Sequence, residues 1–483
     1  MICPVIVGPS LALAQQQIEN SLLYAACLEL RLDHFEVIDC VWLKQILSQY
    51  LLPMIFTLRK ASQGGKYSGS EETRYSLFRK LLPLRPAFFD VEHDTPLDII
   101  AEFQAHNCPI LLSSHHFDGV PEQLDEHFLH MKKIPAAFYK IAVYTDSTHQ
   151  CLRFMQWAKR QDNKLIPICM GKNGQISRIL SPRHNCPITY VTIDPNEENI
   201  SGQLSAQVLH KQYRYSFLHP ETRVMGLIGN PVDQSPSHVT HNHLFSHFGL
   251  DAVYVKMRVS KEELSNFFSI ARSFSFGGLS VTMPLKEEIL RFLDDIDPEA
   301  RAIGAVNTLV VRQQSIIGYN TDGVGALDAL ERKKVVQGKK MVLIGAGGVA
   351  RAIAHEALKR GCEVVIVSRE ARKSKEVAAQ LGCKGIGLDG IRENGQGYDF
   401  LINCTPHPMP IDLSMILPKT IAMDVTIAPK ETTFLQQAAS KNCQIVYGYE
   451  MFIEQALGQF CLWFPGKIAK DQARRLLTMF FNE

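Results

Sequence analysis

The chain has 483 residues, 46% of them hydrophobic and 21% charged, with a formal net charge of +2. That length exceeds one core and suggests roughly two to four domains, while the composition is that of a folded globular protein rather than a disordered one. The near-neutral charge without basic runs gives no footprint for nucleic acid or an anionic membrane surface. No uncharged apolar run reaches bilayer-spanning length, so a cytoplasmic protein is expected. The 12 cysteines are scattered without a C-x-x-C pair, which points to buried reduced thiols and to no metal centre.

From the N-terminus, short apolar runs near 2–7, 24–30, 52–58, 87–91, 109–114, 137–143, 164–169 and 187–192 read as strands. Helix-compatible segments such as Ser76–Leu82 and Leu97–Ala105 alternate with them. Eight β–α units in roughly 200 to 250 residues is the size of a TIM barrel; an open doubly wound sheet is the alternative. A barrel places its chemistry at the C-terminal strand ends, and ionisable residues gather there: Glu29, Arg31, Arg59, Glu92, His93, His115 and His116.

Lys140 lies inside the apolar run Phe138-Tyr-Lys-Ile-Ala-Val143. A lysine there is costly unless paired or neutral. Desolvation lowers a lysine pKa and makes the amine a nucleophile able to form a Schiff base with a ketone, so Lys140 is the expected nucleophile and His115 its proton shuttle. His116, one residue on, should face the other way.

These residues carry a resemblance. Glu29-Leu-Arg31-Leu-Asp33, Phe56-Thr-Leu-Arg59, Ser113-Ser-His115-His-Phe117, Lys140-Ile-Ala142, Met170-Gly171 with Ser177-Arg178, and Gly202-Gln203 resemble the successive motifs of type I 3-dehydroquinate dehydratase. The resemblance implies an imine on Lys140 and proton transfer by His115. It also implies that Arg178 binds the substrate carboxylate and that Gln203, Glu29, Arg31 and Arg59 bind the other polar groups. Two positions depart from the family pattern: Gln63 stands where a glutamate normally precedes Gly-Gly, and Asn199-Ile-Ser-Gly-Gln203 replaces a Ser-Ala-Pro-Gly-Gln lid.

A joint is expected near 212–222, where Pro220 ends a helical stretch before the strand-like Arg223-Val-Met-Gly-Leu-Ile228. Ser235 and Ser237 then sit at a loop entering a helix, suited to a carboxylate or to plain N-capping. Lys286 and Asp322 each follow an apolar run and would form an acid/base pair if they meet. Met341-Val-Leu-Ile-Gly345-Ala-Gly347-Gly-Val-Ala350 matches G-x-G-x-x-G/A between a strand and a helix, and Glu363–Ser368 supplies the second strand of a βαβ unit.

Ser235-x-Ser237, Val281-Thr282-Met-Pro-Leu-Lys286, Asn307-Thr308, Asn320-Thr-Asp322, the glycine turn and Gly448-Tyr-Glu-Met451-Phe-Ile-Glu-Gln455 together resemble shikimate dehydrogenase over residues 224–480. The resemblance implies that Ser235 and Ser237 hold the substrate carboxylate, that Thr282, Asn307, Asp322 and Gln455 hold its hydroxyls, and that Lys286 with Asp322 moves the proton. It places Gly345, Ala346, Gly347, Gly348, Val349, Ala350, Gly448 and Met451 beside the cofactor. Ile427 replaces the family's usual tyrosine. At the second strand's end, Ser368-Arg369 replaces the acidic residue of an NAD site. Arg369, Arg372 and Lys373 should outweigh Glu370, so NADP(H) is expected over NAD.

The expected architecture is α/β: a TIM (β/α)8 barrel over 1–215, a substrate-binding α/β domain over 223–325, a Rossmann-like NADP domain over 326–455, and helices over 456–483 that pack back on the substrate domain. The expected function is dehydration of 3-dehydroquinate to 3-dehydroshikimate and NADPH-dependent reduction to shikimate. A quinate-preferring dehydrogenase half and a ligand-sensing regulator without turnover are the alternatives.

Overall fold

The computed structural model describes residues 1–193, 202–313, 315–391 and 397–482. It divides into two compact units, Met1–Arg223 and Val224–Glu483.

In the first unit the strands are β1 (Ile2–Ile6), β2 (Leu28–Arg31), β3 (Met54–Thr57), β4 (Phe88–Glu92), β5 (Ile110–His116), β6 (Phe138–Tyr144), β7 (Leu165–Met170) and β8 (Thr189–Val191). They form an eight-stranded sheet in the order β7-β6-β5-β4-β3-β2-β1-β8, and every pair is parallel. This sequential order around a nearly closed α/β barrel, with helices after most strands, excludes the doubly wound alternative.

Register explains the interior. Because side chains alternate, Cys3, Val5, Cys27, Ile55, Leu111, Ile166, Ile188 and Tyr190 point inward as one apolar cluster. One pleat further toward the C-terminal ends, the same faces carry Glu29, Thr57, Asp90, Ser113 and Lys140, all buried. The pairings Thr57↔Asp90 and Ser113↔Lys140 place these polar residues close to one level. An apolar plug therefore supports a layer of polar and charged groups.

The second unit contains two sheets. The first joins β9 (Arg223–Gly229), β10 (Ala252–Arg258), β11 (Phe276–Val281), β12 (Asp295–Ile296), β13 (Thr308–Arg312) and β14 (Ser315–Tyr319) in the order β10-β9-β11-β13-β14-β12. The second joins β15 (Lys340–Ile344), β16 (Glu363–Ser368), β17 (Lys384–Gly387), β18 (Phe400–Asn403), β19 (Ile421–Asp424) and β20 (Gln444–Val446) in the order β17-β16-β15-β18-β19-β20, all parallel. Its order reverses between β15 and β18, the place where a doubly wound sheet leaves a crevice for a nucleotide.

Helices Gly448–Trp463 and Lys470–Phe480 lie beside the first sheet: Phe460, Trp463, Ala473 and Leu477 share one buried cluster with Met225, Leu227, Leu244 and Tyr254. Gly278 permits that approach, because a Cβ there would meet the Trp463 indole nitrogen at 2.3 Å. Among the described residues no helix is long and apolar enough to cross a membrane, and all 12 cysteines are free.

Candidate active sites

Lys140 is only 4% exposed, but it is not the lone lysine among apolar side chains that its sequence context suggests. Its ammonium donates to Asp90 Oδ2, stands 3.7 Å from Glu29 and lies 4.6 Å from the centre of the Tyr190 ring. Asp90 is shared: Arg59 reaches it at 2.6 Å, and Ser113 Oγ donates to it at 2.6 Å while accepting from Arg59 at 2.5 Å. Burial works to raise the Asp90 carboxyl, but Arg59 and Lys140 outweigh it and hold it well below the ordinary carboxylate range. Glu29 accepts a 2.7 Å bond from Thr57. Lys140 is thus buried as expected, and it is the paired alternative that holds: it sits in a network whose carboxylate is divided between two cations.

His115, at the end of β5, is half-buried on the inward face. Gln63 Oε1 accepts its backbone N–H at 2.9 Å and lies 3.4 Å from Nδ1. An amide oxygen only accepts, so the proton of the neutral ring sits on Nδ1 and Nε2 keeps its lone pair. Burial, then Arg59 and Lys140, push the imidazole well below its ordinary value, so it is neutral near pH 7. His116 faces away as expected: its Nε2 lies 2.8 Å from Ser114 Oγ and 3.4 Å from His127.

The remaining barrel residues separate. Arg31 is engaged by Asp33 through two 2.9 Å bonds, so its fork already has a partner. Arg178 is buried, donates from Nη1 to the Cys169 carbonyl, and has no partner at Nε among the described residues; burial pushes it down to about 10. Gly202 abuts Gly171, where a Cβ would meet the Gly171 carbonyl at 2.1 Å, and Gln203 follows beside the end of β7. Asn199 lies outside the described residues.

In the second unit one cavity of about 510 Å³ is lined by Ser235, Ser237, Thr282, Lys286, Asn307, Asp322, Gly347, Gly348, Val349, Gly448, Met451 and Gln455. Residues from Leu227 to Gln459, far apart in the chain, meet here. Lys286 Nζ donates to Asp322 Oδ2 at 2.6 Å. Asn307 Nδ2 donates to Asp322 Oδ1 at 2.8 Å and approaches Gln455 Oε1 at 3.4 Å, so one amide orients both. Asp322 opens helix Asp322–Glu331, where the first-turn N–H groups favour a carboxylate. Ser235 and Ser237 hydroxyls are 2.8 Å apart, and the Ser237 N–H donates to Ser235 Oγ at 3.3 Å.

The glycine turn follows β15. Gly345 has φ +117°, a conformation few residues other than glycine adopt, and Gly347 precedes helix Gly348–Lys359. A Cβ on Gly347 would meet nothing within 4 Å, so its backbone faces free space, as a pyrophosphate requires. Ala346 and Ala350 are buried in the core beneath, so they contribute packing rather than side-chain contacts to the cavity. Ser368 donates to the Glu370 carbonyl at 2.7 Å, and Arg369 and Lys373 are exposed beyond β16, outside the cavity lining.

Several residues here are absent from the sequence reading. Asp90 is the immediate partner of Lys140, and its inward-facing place in a barrel strand is the available signal. Ser280, Thr405, Thr426 and Gln459 line the cavity, yet lie in loops or on faces with no motif to mark them. Among the described residues no set of three or more His, Cys, Asp or Glu converges as a metal site.

Fold and sites define a class: an α/β barrel with a buried lysine–histidine site, joined to an α/β oxidoreductase with a nucleotide turn. The comparisons agree. Residues 2–220 match the family model for type I 3-dehydroquinase, 227–309 that for the shikimate dehydrogenase substrate binding domain, and 328–423 that for shikimate/quinate 5-dehydrogenase. The chain is 35% identical to the shikimate biosynthesis protein AroDE of Chlamydia pneumoniae, over 96% of this chain and 95% of that protein. It is 30% identical to the chloroplastic bifunctional 3-dehydroquinate dehydratase/shikimate dehydrogenase of Arabidopsis thaliana, over 90% of this chain and 77% of that one. A crystal structure of a shikimate dehydrogenase in complex with NADP+ superposes with a TM-score of 0.51 at 34% identity, covering 55% of this chain and 98% of the other. The chain belongs to the family of bifunctional 3-dehydroquinate dehydratase/shikimate dehydrogenases.

Proposed function

We propose that the two sites act in sequence, the barrel dehydrating 3-dehydroquinate to 3-dehydroshikimate and the second unit reducing that product to shikimate with NADPH. Two lysines carry this reading: Lys140, buried beside Asp90 and close to a neutral histidine, and Lys286, paired with Asp322 on the cavity that the glycine turn also lines.

In the barrel, Lys140 passes a proton to its surroundings and attacks the substrate ketone, with loss of water giving an imine. The protonated imine withdraws electrons from the adjacent carbon and acidifies its C–H. His115 takes that proton through Nε2 and returns one to the departing hydroxyl, and water then hydrolyses the imine to release product and Lys140. Arg178, with Nε unpartnered in a buried site, is the group for the substrate carboxylate. Arg59, Glu29 and Gln203 bind the remaining polar groups, while Arg31 acts mainly through Asp33.

In the second unit, Ser235 and Ser237 bind the carboxylate, and Thr282, Asn307 and Gln455 the ring hydroxyls. Lys286 supplies a proton to the carbonyl oxygen as the carbonyl carbon is reduced, and Asp322 holds the ammonium in line and takes part in the transfer. The glycine turn over Gly345–Ala350, with Gly448 and Met451, fits a dinucleotide; when bound, NADPH supplies the hydride. Arg369, just past β16, and Lys373, in the following helix Ala371–Leu381, serve the 2′-phosphate, with Ser368 giving it room.

The four groups that would be lost in a ligand sensor, Lys140, His115, Lys286 and Asp322, are all in place. Ser237 beside Ser235 favours shikimate over quinate for the second site. Free cysteines agree with the cytoplasm as the working compartment. The test is borohydride trapping: adding it with 3-dehydroquinate should leave a reduced substrate adduct on Lys140. An unmodified Lys140 during undiminished turnover would refute the imine.

A further inference from the structure

Asn403 and Asp424 are fully buried at the C-terminal ends of adjacent strands β18 and β19, directly opposite one another, and neither lines the cavity. Each is nonetheless tied to a loop that does. Asn403 Oδ1 accepts from the Thr405 N–H at 3.0 Å and its hydroxyl at 2.7 Å, and Nδ2 donates to the His407 carbonyl at 3.1 Å. Asp424 Oδ1 accepts the Thr426 N–H at 2.9 Å, and Oδ2 accepts from Thr432 at 2.8 Å. The two side chains then join, Asn403 Nδ2 to Asp424 Oδ2 at 3.1 Å.

The held segments, Cys404–Pro406 and Val425–Ile427, line the cavity together with the glycine turn and Lys286. They are also packed from the sides. A Cβ at Gly345 would come within 3.0 Å of Thr405 Cγ2, and one at Gly448 would strike the Thr426 carbonyl at 2.2 Å. The loops are therefore closely packed against these glycines, and the amide–carboxylate link joins their bases.

We propose that Asp424, through Asn403, is a positioning residue for hydride transfer: it fixes the gap between the two loops and so the seat of the cofactor's reactive ring relative to Lys286. This rests on the reduction proposed above for the same cavity. Asp424 lies behind the cavity wall rather than on it. A carboxylate is required because its positions accept from three donors, from Asn403, Thr426 and Thr432. An amide in its place turns one acceptor into a donor that faces either the Thr426 N–H or the Asn403 NH2.

The test is Asp424→Asn in the full chain, assayed with 3-dehydroshikimate and NADPH. NADPH-binding sites are counted by titration so that kcat is expressed per site. We expect kcat per site to fall about 10- to 100-fold, the NADPH Kd to stay within about threefold, and the deuterium isotope effect with NADPH labelled at the transferred position to rise as hydride transfer limits the rate. Normalising per site keeps the test valid when part of the protein misfolds. Thr432→Val, which removes one donor from outside the cavity, should shift the same quantities less. A loss of activity that only tracks the loss of binding sites, or an unchanged kcat per site, overturns the proposal. Absence of NADPH oxidation in the unsubstituted chain is a separate result, and would remove the underlying reduction as well.

Discussion

Both units use a lysine against an aspartate, and the surroundings of the two pairs differ in ways that match different chemistry. Lys140 sits within a strand, its side chain 5% exposed, and shares Asp90 with Arg59. Lys286 sits in a loop, its side chain 16% exposed, and has Asp322 as its carboxylate. A rigid sheet interior suits a nucleophile that must hold a covalently bound substrate, because alternation and register fix every neighbour. A loop at a cavity edge suits a proton donor that serves a substrate arriving together with a cofactor. In the roles proposed for them, the same pair of residue types serves as a nucleophile where the scaffold is dry and charge-dense, and as an acid where it is accessible.

Substitutions that separate the two roles break or sharpen this contrast. The largest effect is expected for Lys140→Ala, which should lower dehydratase kcat on the order of 10^4-fold while leaving 3-dehydroshikimate reduction intact. Equal loss in both assays would mean that the sites are not independent. Lys286→Ala should cost about 10^2- to 10^4-fold in reductase kcat with NADPH affinity unchanged, since an acid–base group acts in the transition state and not in cofactor binding. A rise in KM alone would reassign it to binding.

The pH profile probes the barrel side. His115 must be neutral to accept a proton, so activity is lost as pH falls through its folded pKa, and burial with Arg59 and Lys140 places that limb well below 6.5. Gln63→Glu puts a carboxylate beside Nδ1 and should move the limb upward by about one pH unit or more. A limb already near 6.5 in the unsubstituted chain would contradict the neutral-imidazole arrangement. The smallest effect is expected at the cofactor's far end: Arg369→Ala should reduce kcat/KM for NADPH about tenfold and leave that for NADH nearly unchanged. A parallel loss for both cofactors would place Arg369 elsewhere than at the 2′-phosphate.

The barrel was legible because its apolar runs recur at even spacing and end in ionisable residues, and because Lys140 is conspicuous within one of them. Its charged network was not. Asp90 reads as an ordinary strand residue until register sets Ser113 across from Lys140. The sequence marks Arg31 as a substrate ligand, and folding adds that its Nε and Nη2 are held by Asp33, two residues away. In the second unit, motifs at Lys286, Asn307, Asp322 and Gln455 were readable as separate signals, while their convergence on Asn307 depends on long-range packing. Gln459 illustrates the limit: it accepts from Ser280 at 3.0 Å and donates to Thr308 at 3.1 Å, yet nothing in its helical context distinguishes it from a solvent-facing glutamine.

The most direct measurement is a coupled assay in which the chain receives 3-dehydroquinate and NADPH and nothing else, with NADPH oxidation followed over time. Oxidation should proceed after a short lag in the unsubstituted chain and cease in both Lys140→Ala and Lys286→Ala. Added 3-dehydroshikimate should restore it in the first variant but not in the second. No oxidation from 3-dehydroquinate, or oxidation that persists in Lys140→Ala, would contradict the assignment of two consecutive reactions to these two lysines.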